Sequence, residues 1–406
     1  MQDVLTQKLE KAVSRGLLGL GCAHRVSLAA RLVTTLPGDE GGATEALSGQ
    51  ALGKELGLSR AAVHKHIEQL RALGVAIEPV AGAGYRLARP FADLVAAETA
   101  LPYVLRSMDA GAAWSAGLPY HYFSACDSTN RVLKRKAASS PAGTVVVTDE
   151  QTGGRGRLGR TWVSGPGKDL TFSVLLRPAV EPARAHLLSL AGALAVAEVL
   201  ESMAGLEGFV GIKWPNDVLL GNRKVCGVLL EGSMDPDRIE WAVAGIGLNV
   251  NSDPDALVAC LPEEQASRAS EWRGKPRPTS LRAALGCDLA RAPLLARILT
   301  RLTERWSGVD DDAVLAGLRE RDVLAGRRVT VLSGPPRDEP VLSGEALGIG
   351  AEGQLLIEDS SGETVAVFAG DVTVREAGGD RGPTGRTRRR RQPSTASRLT
   401  SSEDHG

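Results

Sequence analysis

Paired cysteines are missing from this chain: Cys22, Cys126, Cys226, Cys260 and Cys287 are scattered, odd in number and never spaced as CxxC. That pattern argues against a disulfide framework and a zinc site, and it fits thiols kept reduced. Aromatic residues are scarce at 4%, so the core must be aliphatic. Net charge is missing too, since 48 basic residues balance 48 acidic ones. Any attraction to nucleic acid or anionic lipid must therefore be local. The most apolar stretch, Leu187 to Leu206, is broken by Ser189, Glu198, Glu201 and Ser202, which suits a buried or amphipathic helix better than a membrane span. The first residues place Asp3, Lys8, Glu10 and Lys11 ahead of a short apolar patch, unlike a secretion leader, so a cytoplasmic location is expected. No lysine precedes Ser or Thr, which removes the GxxxxGK[ST] phosphate loop. No internal repeat is visible.

What is present suits a soluble α+β protein of two to three domains: 406 residues, 43% hydrophobic and 24% charged. Four zones follow one another. A helix-rich opening runs to about Arg89, an α/β body to about Leu324 and a short β-rich module to about Glu376. The polar tail beyond, from Gly378 and including Arg388 to Arg391, lacks apolar periodicity and is expected to be disordered. Its arginines offer at most a sequence-blind phosphate contact.

From Ser48 to Leu70, Leu52, Leu56, Val63, Ile67 and Leu70 recur at helical spacing across a break at Gly57, Leu58 and Ser59. This is a helix-turn-helix pattern. Gly57 suits the left-handed turn and Ser59 the cap of the second helix. Burying the apolar set turns Arg60, Ala61, His64, Lys65 and Glu68 outward, the first four as DNA-facing candidates. Lys54, Arg60, Lys65, Arg71, Arg86 and Arg89 outnumber Glu55, Glu68 and Glu78, so the neutral whole hides a basic end. The run GVAIEPVAGAGYRLA predicts a hairpin wing, and Val26 to Leu36 would supply the first helix. On the motif alone, a helical hairpin for protein contact stays open.

Four segments of the body carry polar residues that composition does not require. Cys126 to Asn130 (CDSTN) follows the strand-like Tyr120 to Phe123 and offers small groups suited to a polar ring such as a urea, or to a helix cap. Gln151 to Trp162 (QTGGRGRLGRTW) is a Gly/Arg loop between the β-rich runs Val145 to Thr148 and Leu170 to Leu176. Its glycines permit close backbone approach, while Arg155, Arg157 and Arg160 carry forks that match carboxylate and phosphate oxygens. Gly154, Gly156 and Gly159 make a poor dinucleotide fingerprint, because arginine fills the gaps and no helix start follows. Lys213 to Asp217 (KWPND) ends a strand and starts a turn, leading through Gly221 and Asn222 to Lys224 at the start of an apolar strand. Spacing alone leaves Lys213 and Lys224 open as ordinary solvated lysines. Gly245 to Asn251 (GIGLNVN) puts two glycines in an apolar strand, marking close approach of a ligand or backbone, or a turn.

In this order, DSTN, QxxGRGRLGRTW, KWPND, RKVCGVLLE and GIGLNVN resemble the biotin protein ligases, and the preceding helix-turn-helix resembles their bifunctional biotin-operon-repressor branch. The likeness covers roughly Val26 to Glu376. It implies an α+β multidomain chain: an N-terminal winged helix-turn-helix (26–90) after an extension (1–25), a central α/β biotin/lipoate-ligase-like catalytic domain (91–324), and a C-terminal SH3-like β-barrel (325–376) ahead of the basic tail (377–406). The implied reaction joins biotin to AMP at the expense of MgATP, then passes the biotinyl group to a lysine of a biotin carboxyl carrier protein. By resemblance, Ser128, Thr129, Asn130 and Gln151 would hold the ring end of biotin, with Arg155, Gly156, Arg157, Lys224 and Gly227 around the rest. Arg157 and Lys224 would be catalytic, and Arg160, Trp162, Lys213, Asn216, Asp217 and Asn249 would serve ATP and the adenylate. Asp217 is also the candidate to assist the attacking lysine, and no metal ligand set is identified. Operator DNA and, with biotinyl-AMP bound, a second copy of the chain are the further partners, and no membrane is expected. Competing readings are a DNA-binding regulator whose ligase-like body only senses a ligand, and a lipoate-type acyl ligase on the same fold.

The stretch before Val26, the insert Asp39 to Leu47 and the arginine tail add to the family's usual outline.

Overall fold

Leu5, Leu9 and Ala12 share one helical face, and all three are buried. They belong to α1 (Gln2–Ser14), which packs on α2 (Leu20–Leu32). The computed structural model describes residues 2–33, 46–89, 91, 93–107, 115–261, 276–309, 312–333 and 339–374. The expected tail and most of the Asp39 to Leu47 insert lie outside the described residues. The first helix of the reader starts at Leu20, ahead of the expected Val26, because Ala23 carries the buried face upstream. Its expected end at Leu36 lies outside the described residues.

The helix-turn-helix pattern folds as α3 (Gly49–Leu56) and α4 (Arg60–Ala72). Gly57 takes φ 66° at the turn, and the Ser59 hydroxyl accepts from Ala62 N. Leu28, Leu32, Leu52, Val63, Ile67 and Leu70 close a small core of their own. The wing is the antiparallel pair β1 (Ile77–Val80) and β2 (Gly84–Leu87). Next comes α5 (Ala97–Ser107), which binds the reader from the other side: Arg25 grips Glu98 through two nitrogens at 2.9 and 2.6 Å, and Lys8 donates to Leu105 O. α1 also packs on α5, so the N-terminal extension adds a helix beside the direct α2–α5 contact.

The body contains β3 (Tyr120–Phe123), α6 (Thr129–Lys136), β4 (Val145–Thr148), β5 (Leu170–Leu176), α7 (His186–Glu201), β6 (Val210–Lys213), β7 (Asp217–Leu220), β8 (Arg223–Met234) and β9 (Ile239–Leu248). α8 (Pro254–Ala259), α9 (Leu281–Leu285), α10 (Arg291–Ser307) and α11 (Asp312–Glu320) follow. The strands form one sheet ordered β3-β4-β5-β9-β8-β7-β6, antiparallel except for β3 beside β4. α7 is apolar around most of its circumference because it lies between this sheet and α10. Each fully buried leucine there contributes about 1.5–3 kcal/mol. With the turn ahead of it, the stretch Pro182–Glu201 is long and apolar enough to cross a membrane by composition, yet it is mostly buried as the core helix.

Period-two alternation gives the sheet two different faces. Val145, Val147, Phe172 and Val174 point to the α7 side, while Val146, Leu175 and Val243 point to α6. Along β5, Thr171 and Ser173 share the α6 face with Leu175, and their partners on β9 are Gly247 and Gly245. Because α6 spans only eight residues, it leaves the neighbouring polar, glycine-rich part of that face open.

The C-terminal module runs β10 (Arg328–Leu332), β11 (Pro340–Ile349), β12 (Leu355–Glu358), β13 (Thr364–Val367) and β14 (Asp371–Val374), an antiparallel meander whose last strand returns beside β10. Its β12 turn locks onto the body: Trp214 Nε1 donates to Gly353 O at 3.0 Å, and Arg319 donates to the Ile349 and Gly350 carbonyls. Arg291, 2% exposed, donates to the Asp93 carboxylate and carbonyl, to Asp149 Oδ1 and to Asp169 O.

Candidate active site

The open part of the α6-side face floors a cavity. Gly227, Gly245, Gly247 and Thr171 lie at its base, the start of α6 forms one wall, and the loop 151–162 and the turn 213–217 form two others. Ser128, Thr129, Asn130, Gln151, Arg155, Gly156, Arg157, Arg160, Trp162, Lys213, Asn216, Asp217, Lys224 and Gly227 all line it, so segments remote in sequence meet at one place. Asn249 does not. β9 ends at Leu248, so the alternation that aims Gly245 and Gly247 at the cavity stops there, and Asn249 Nδ2 donates to Thr279 O at 2.9 Å.

The glycines serve neither a turn nor a close backbone. A Cβ on Gly247 would stand 2.5 Å from Trp162 Nε1 and 2.6 Å from its Cζ2, and one on Gly245 would stand 2.9 Å from Asn130 Cγ. Missing side chains on β9 therefore seat Trp162 and Asn130 against the sheet.

Ser128 stands at the N-cap of α6 without bonding a helix amide through its hydroxyl, so its side chain remains free of the capping role. Thr129 N donates to Gln151 Oε1 at 2.9 Å, which joins the α6 wall to the root of the Gly/Arg loop. Ser173 Oγ lies 2.7 Å from Thr129 Oγ1 and 2.6 Å from Asn130 Oδ1. Ser128, Thr129 and Asn130 are all nearly fully buried, so this end presents fixed hydrogen-bonding groups in a dry wall.

The opposite end is cationic. Arg157 Nη1 donates to Asn216 Oδ1 at 3.2 Å, Arg160 pairs with Asp371, and Lys224 Nζ meets Asp217 Oδ1 at 2.7 Å. Lys224 also stands 5.6 Å from the Trp162 ring centroid, within cation–π range. Lys213 is 6% exposed, which removes the solvated-lysine reading for it. Burial holds the Lys213 pKa below the usual lysine range against the pull of Asp217 and Asp371, and burial likewise lowers that of Arg157. Cations withheld from water in this way attract an anion more strongly than surface ones. At the loop apex Leu158 takes φ 55° and is exposed, a strained conformation for a branched residue.

Asp217, the candidate for assisting an incoming lysine, has its carboxylate engaged by Lys224. It orients that ammonium. Asp371 and Gly370, from the C-terminal module, complete the cavity and were not singled out in the sequence, because nothing local marks a β-strand aspartate as facing a site so far back along the chain. Thr171, Ser173 and Glu231 were missed too, although Glu231 ends the RKVCGVLLE segment.

On the reader, Arg60, Ala61, His64 and Lys65 are exposed along α4. His64 Nδ1 lies 3.3 Å from the Tyr85 hydroxyl, so the recognition face and the wing touch. At Gly84, φ 126°, any Cβ would collide with the backbone of Leu47 and Ser48, the strand-like entry to α3.

Comparison with known proteins follows the same division. Residues 122–251 match the Biotin/lipoate A/B protein ligase family, residues 42–86 an HTH domain, and residues 325–375 the Biotin protein ligase C terminal domain. The chain is 34% identical to the bifunctional ligase/repressor BirA of Bacillus subtilis over 81% of this chain and 94% of that protein. It is 31% identical to the Escherichia coli protein of the same name, over 81% and 93%. Among solved structures, the biotin protein ligase from Aquifex aeolicus in complex with biotin and ATP aligns with a TM-score of 0.50 at 30% identity, covering 64% of this chain and 99% of that one.

Proposed function

The chain belongs to the biotin protein ligase family, in its bifunctional ligase/repressor branch, and from that premise we propose how its residues divide the work. The protein activates biotin with ATP, transfers the biotinyl group to a lysine of a biotin carboxyl carrier protein, and binds operator DNA through α4 and the wing. In the first step a biotin carboxylate oxygen bonds to the α-phosphorus and pyrophosphate leaves. In the second, the lysine amine bonds to the acyl carbon and AMP leaves.

Ser128, Thr129, Asn130 and Gln151 receive the ureido-bearing ring, whose alternating donors and acceptor suit a wall of hydroxyls and amides. Lys224, steadied by Asp217, sits where carboxylate and phosphate oxygens meet and stabilises the charge that builds there. Arg155 and Arg157 cover the adenylate from the loop, with Gly156 between them allowing the backbone close. Trp162 offers its face to the base, while Lys213, Asn216 and Arg160 hold the phosphate side. Magnesium enters with the nucleotide as MgATP. The cavity's carboxylates, Asp217 and Asp371, are both paired with cations, and no cluster of three acidic, His or Cys groups occurs among the described residues.

The observation that carries this reading is the meeting, in one cavity, of a dry hydrogen-bonding wall and a cluster of buried or half-buried cations. Its test is biotin-dependent exchange of labelled pyrophosphate into ATP. Exchange that needs biotin and is not supported by lipoate is expected; none with biotin refutes the assignment. A pure ligand sensor gives no exchange, and a lipoate ligase reverses the preference. Homodimerisation on binding biotinyl-AMP and a cytoplasmic location complete the proposal, the first checked by sedimentation with and without the adenylate.

A further inference from the structure

Glu231 on β8 lies just behind the α6 wall, and its carboxylate is the terminus of a chain of polar contacts. Asn130 Nδ2 donates to Glu231 Oε2 at 2.9 Å, and Lys134 Nζ, one helical turn further along α6, donates to Oε1 at 2.8 Å. Arg155 of the loop reaches the same Oε1 at 3.4 Å. Beyond Asn130, its Oδ1 faces Ser173 Oγ at 2.6 Å, and Ser173 Oγ faces Thr129 Oγ1 at 2.7 Å.

An ionised carboxylate only accepts hydrogen bonds, and a hydroxyl carries one proton. Lys134 and Asn130 donate to Glu231, and these bonds, with the Lys134 and Arg155 charges, hold its pKa below the usual glutamate range although burial opposes them. Asn130 must then present nitrogen to Glu231 and oxygen to Ser173. Ser173 directs its proton at Asn130, which leaves it an acceptor towards Thr129, whose single proton favours Ser173 Oγ at 2.7 Å over Gln151 Oε1 at 3.3 Å. The other acceptor near Asn130 Nδ2, Leu229 O, stands at 3.4 Å, the limit of a hydrogen bond. With Asn130 3% and Ser173 0% exposed, no bulk water is available to re-pair a reversed chain.

We infer that Glu231 is a specificity-determining positioning residue: through Asn130 and Ser173 it sets which groups of the ring-recognising wall donate and which accept. The inference rests on the proposed assignment of that wall to the biotin ring. In Glu231→Gln, Lys134 retains the side-chain oxygen, so the new amide turns its NH2 to Asn130. Asn130 then rotates to accept, and the chain reverses without change of shape. Glu231→Asp keeps an acceptor-only carboxylate at this place, so the original direction is retained.

The test uses the full-length protein in biotin-dependent pyrophosphate exchange, with KM measured separately for biotin and MgATP and melting temperature recorded. For Glu231→Gln, the biotin KM is expected to rise about ten- to a hundredfold, with the MgATP KM within about twofold of wild type. Glu231→Asp is expected to avoid most of that loss. A biotin KM that does not move in Glu231→Gln overturns the inference. So does a joint rise of both KM values with a lowered melting temperature in Glu231→Gln and Glu231→Asp alike, the outcome of a merely structural role. Wild-type protein without exchange overturns the functional assignment itself, whereas an active wild type beside an unresponsive variant overturns only the role of Glu231.

Discussion

A single methyl group at Gly247 separates the two halves of the cavity experimentally. In Gly247→Ala the new Cβ would sit 2.5 Å from Trp162 Nε1 and 2.6 Å from Cζ2, whereas non-bonded carbon atoms settle at about 3.5–4 Å. The backbone has little freedom to yield, because Gly247 is paired on both sides, with Thr171 of β5 and Gly227 of β8. The indole must therefore tilt off the sheet by roughly 1 Å, away from its seat under Lys224. Overpacking of this kind costs about 1–3 kcal/mol. Where nucleotide binding needs the ring in place, that cost corresponds to a KM for ATP raised roughly five- to a hundredfold. The same change at Gly245 pushes on Asn130 instead, so Gly245→Ala is expected to raise the biotin KM while sparing ATP. Pyrophosphate exchange titrated in each substrate, with the other saturating, reads both effects. An unchanged ATP KM in Gly247→Ala, or identical profiles for the two variants, would show that these glycines do not seat the side chains that meet the substrates.

Arg157→Gly removes the guanidinium donating to Asn216, and it should release the acyl adenylate early and label bystander proteins; carrier-selective labelling by the variant counts against the clamp. The buried Lys213 has a pKa below the ordinary value near 10.4, so over the interval between them the unfolded chain binds more protons and stability rises with pH. Lys213→Met should flatten that rise in thermal melts while abolishing exchange, and a rise that persists assigns it to another group. Arg60→Ala and Lys65→Ala should each weaken operator binding and lower the salt slope by about one, with exchange unaffected; an unchanged slope removes those side chains from the phosphate contacts.

Local chemistry made much of the reader legible. Gly57 and Ser59 announce a tight turn and a cap through their own backbone and hydroxyl preferences, and both do what those preferences dictate. The hairpin at Gly221 and a strand start at Lys224 were legible for the same reason, although the strand opens one residue earlier, at Arg223. In the body, KWPND and the Gly/Arg loop could be recognised as belonging to one site, but not oriented. The glycines of GIGLNVN signalled a near neighbour, and no local rule could name Trp162 and Asn130 as the neighbours. The family resemblance places Asn249 at the cavity, yet the strand stops one residue earlier and its amide turns to Thr279. Asp371 stayed hidden because its pairing with Arg160 depends on how a separate module docks. The opening was legible only as helix-rich, and nothing local could show that α1 would pack on both α2 and α5.

Arg291 bears on how such a protein can be re-engineered. Its planar cation gathers Asp93, from the segment that leaves the reader, and Asp149, at the mouth of the Gly/Arg loop, onto one buried post. A foreign DNA-binding module spliced ahead of Phe91 keeps both acidic tethers. A splice downstream of Asp93 strips the buried cation of one carboxylate and one carbonyl, leaving Asp149 and the Asp169 carbonyl to hold it, so the choice of junction decides how firmly the catalytic half is tied.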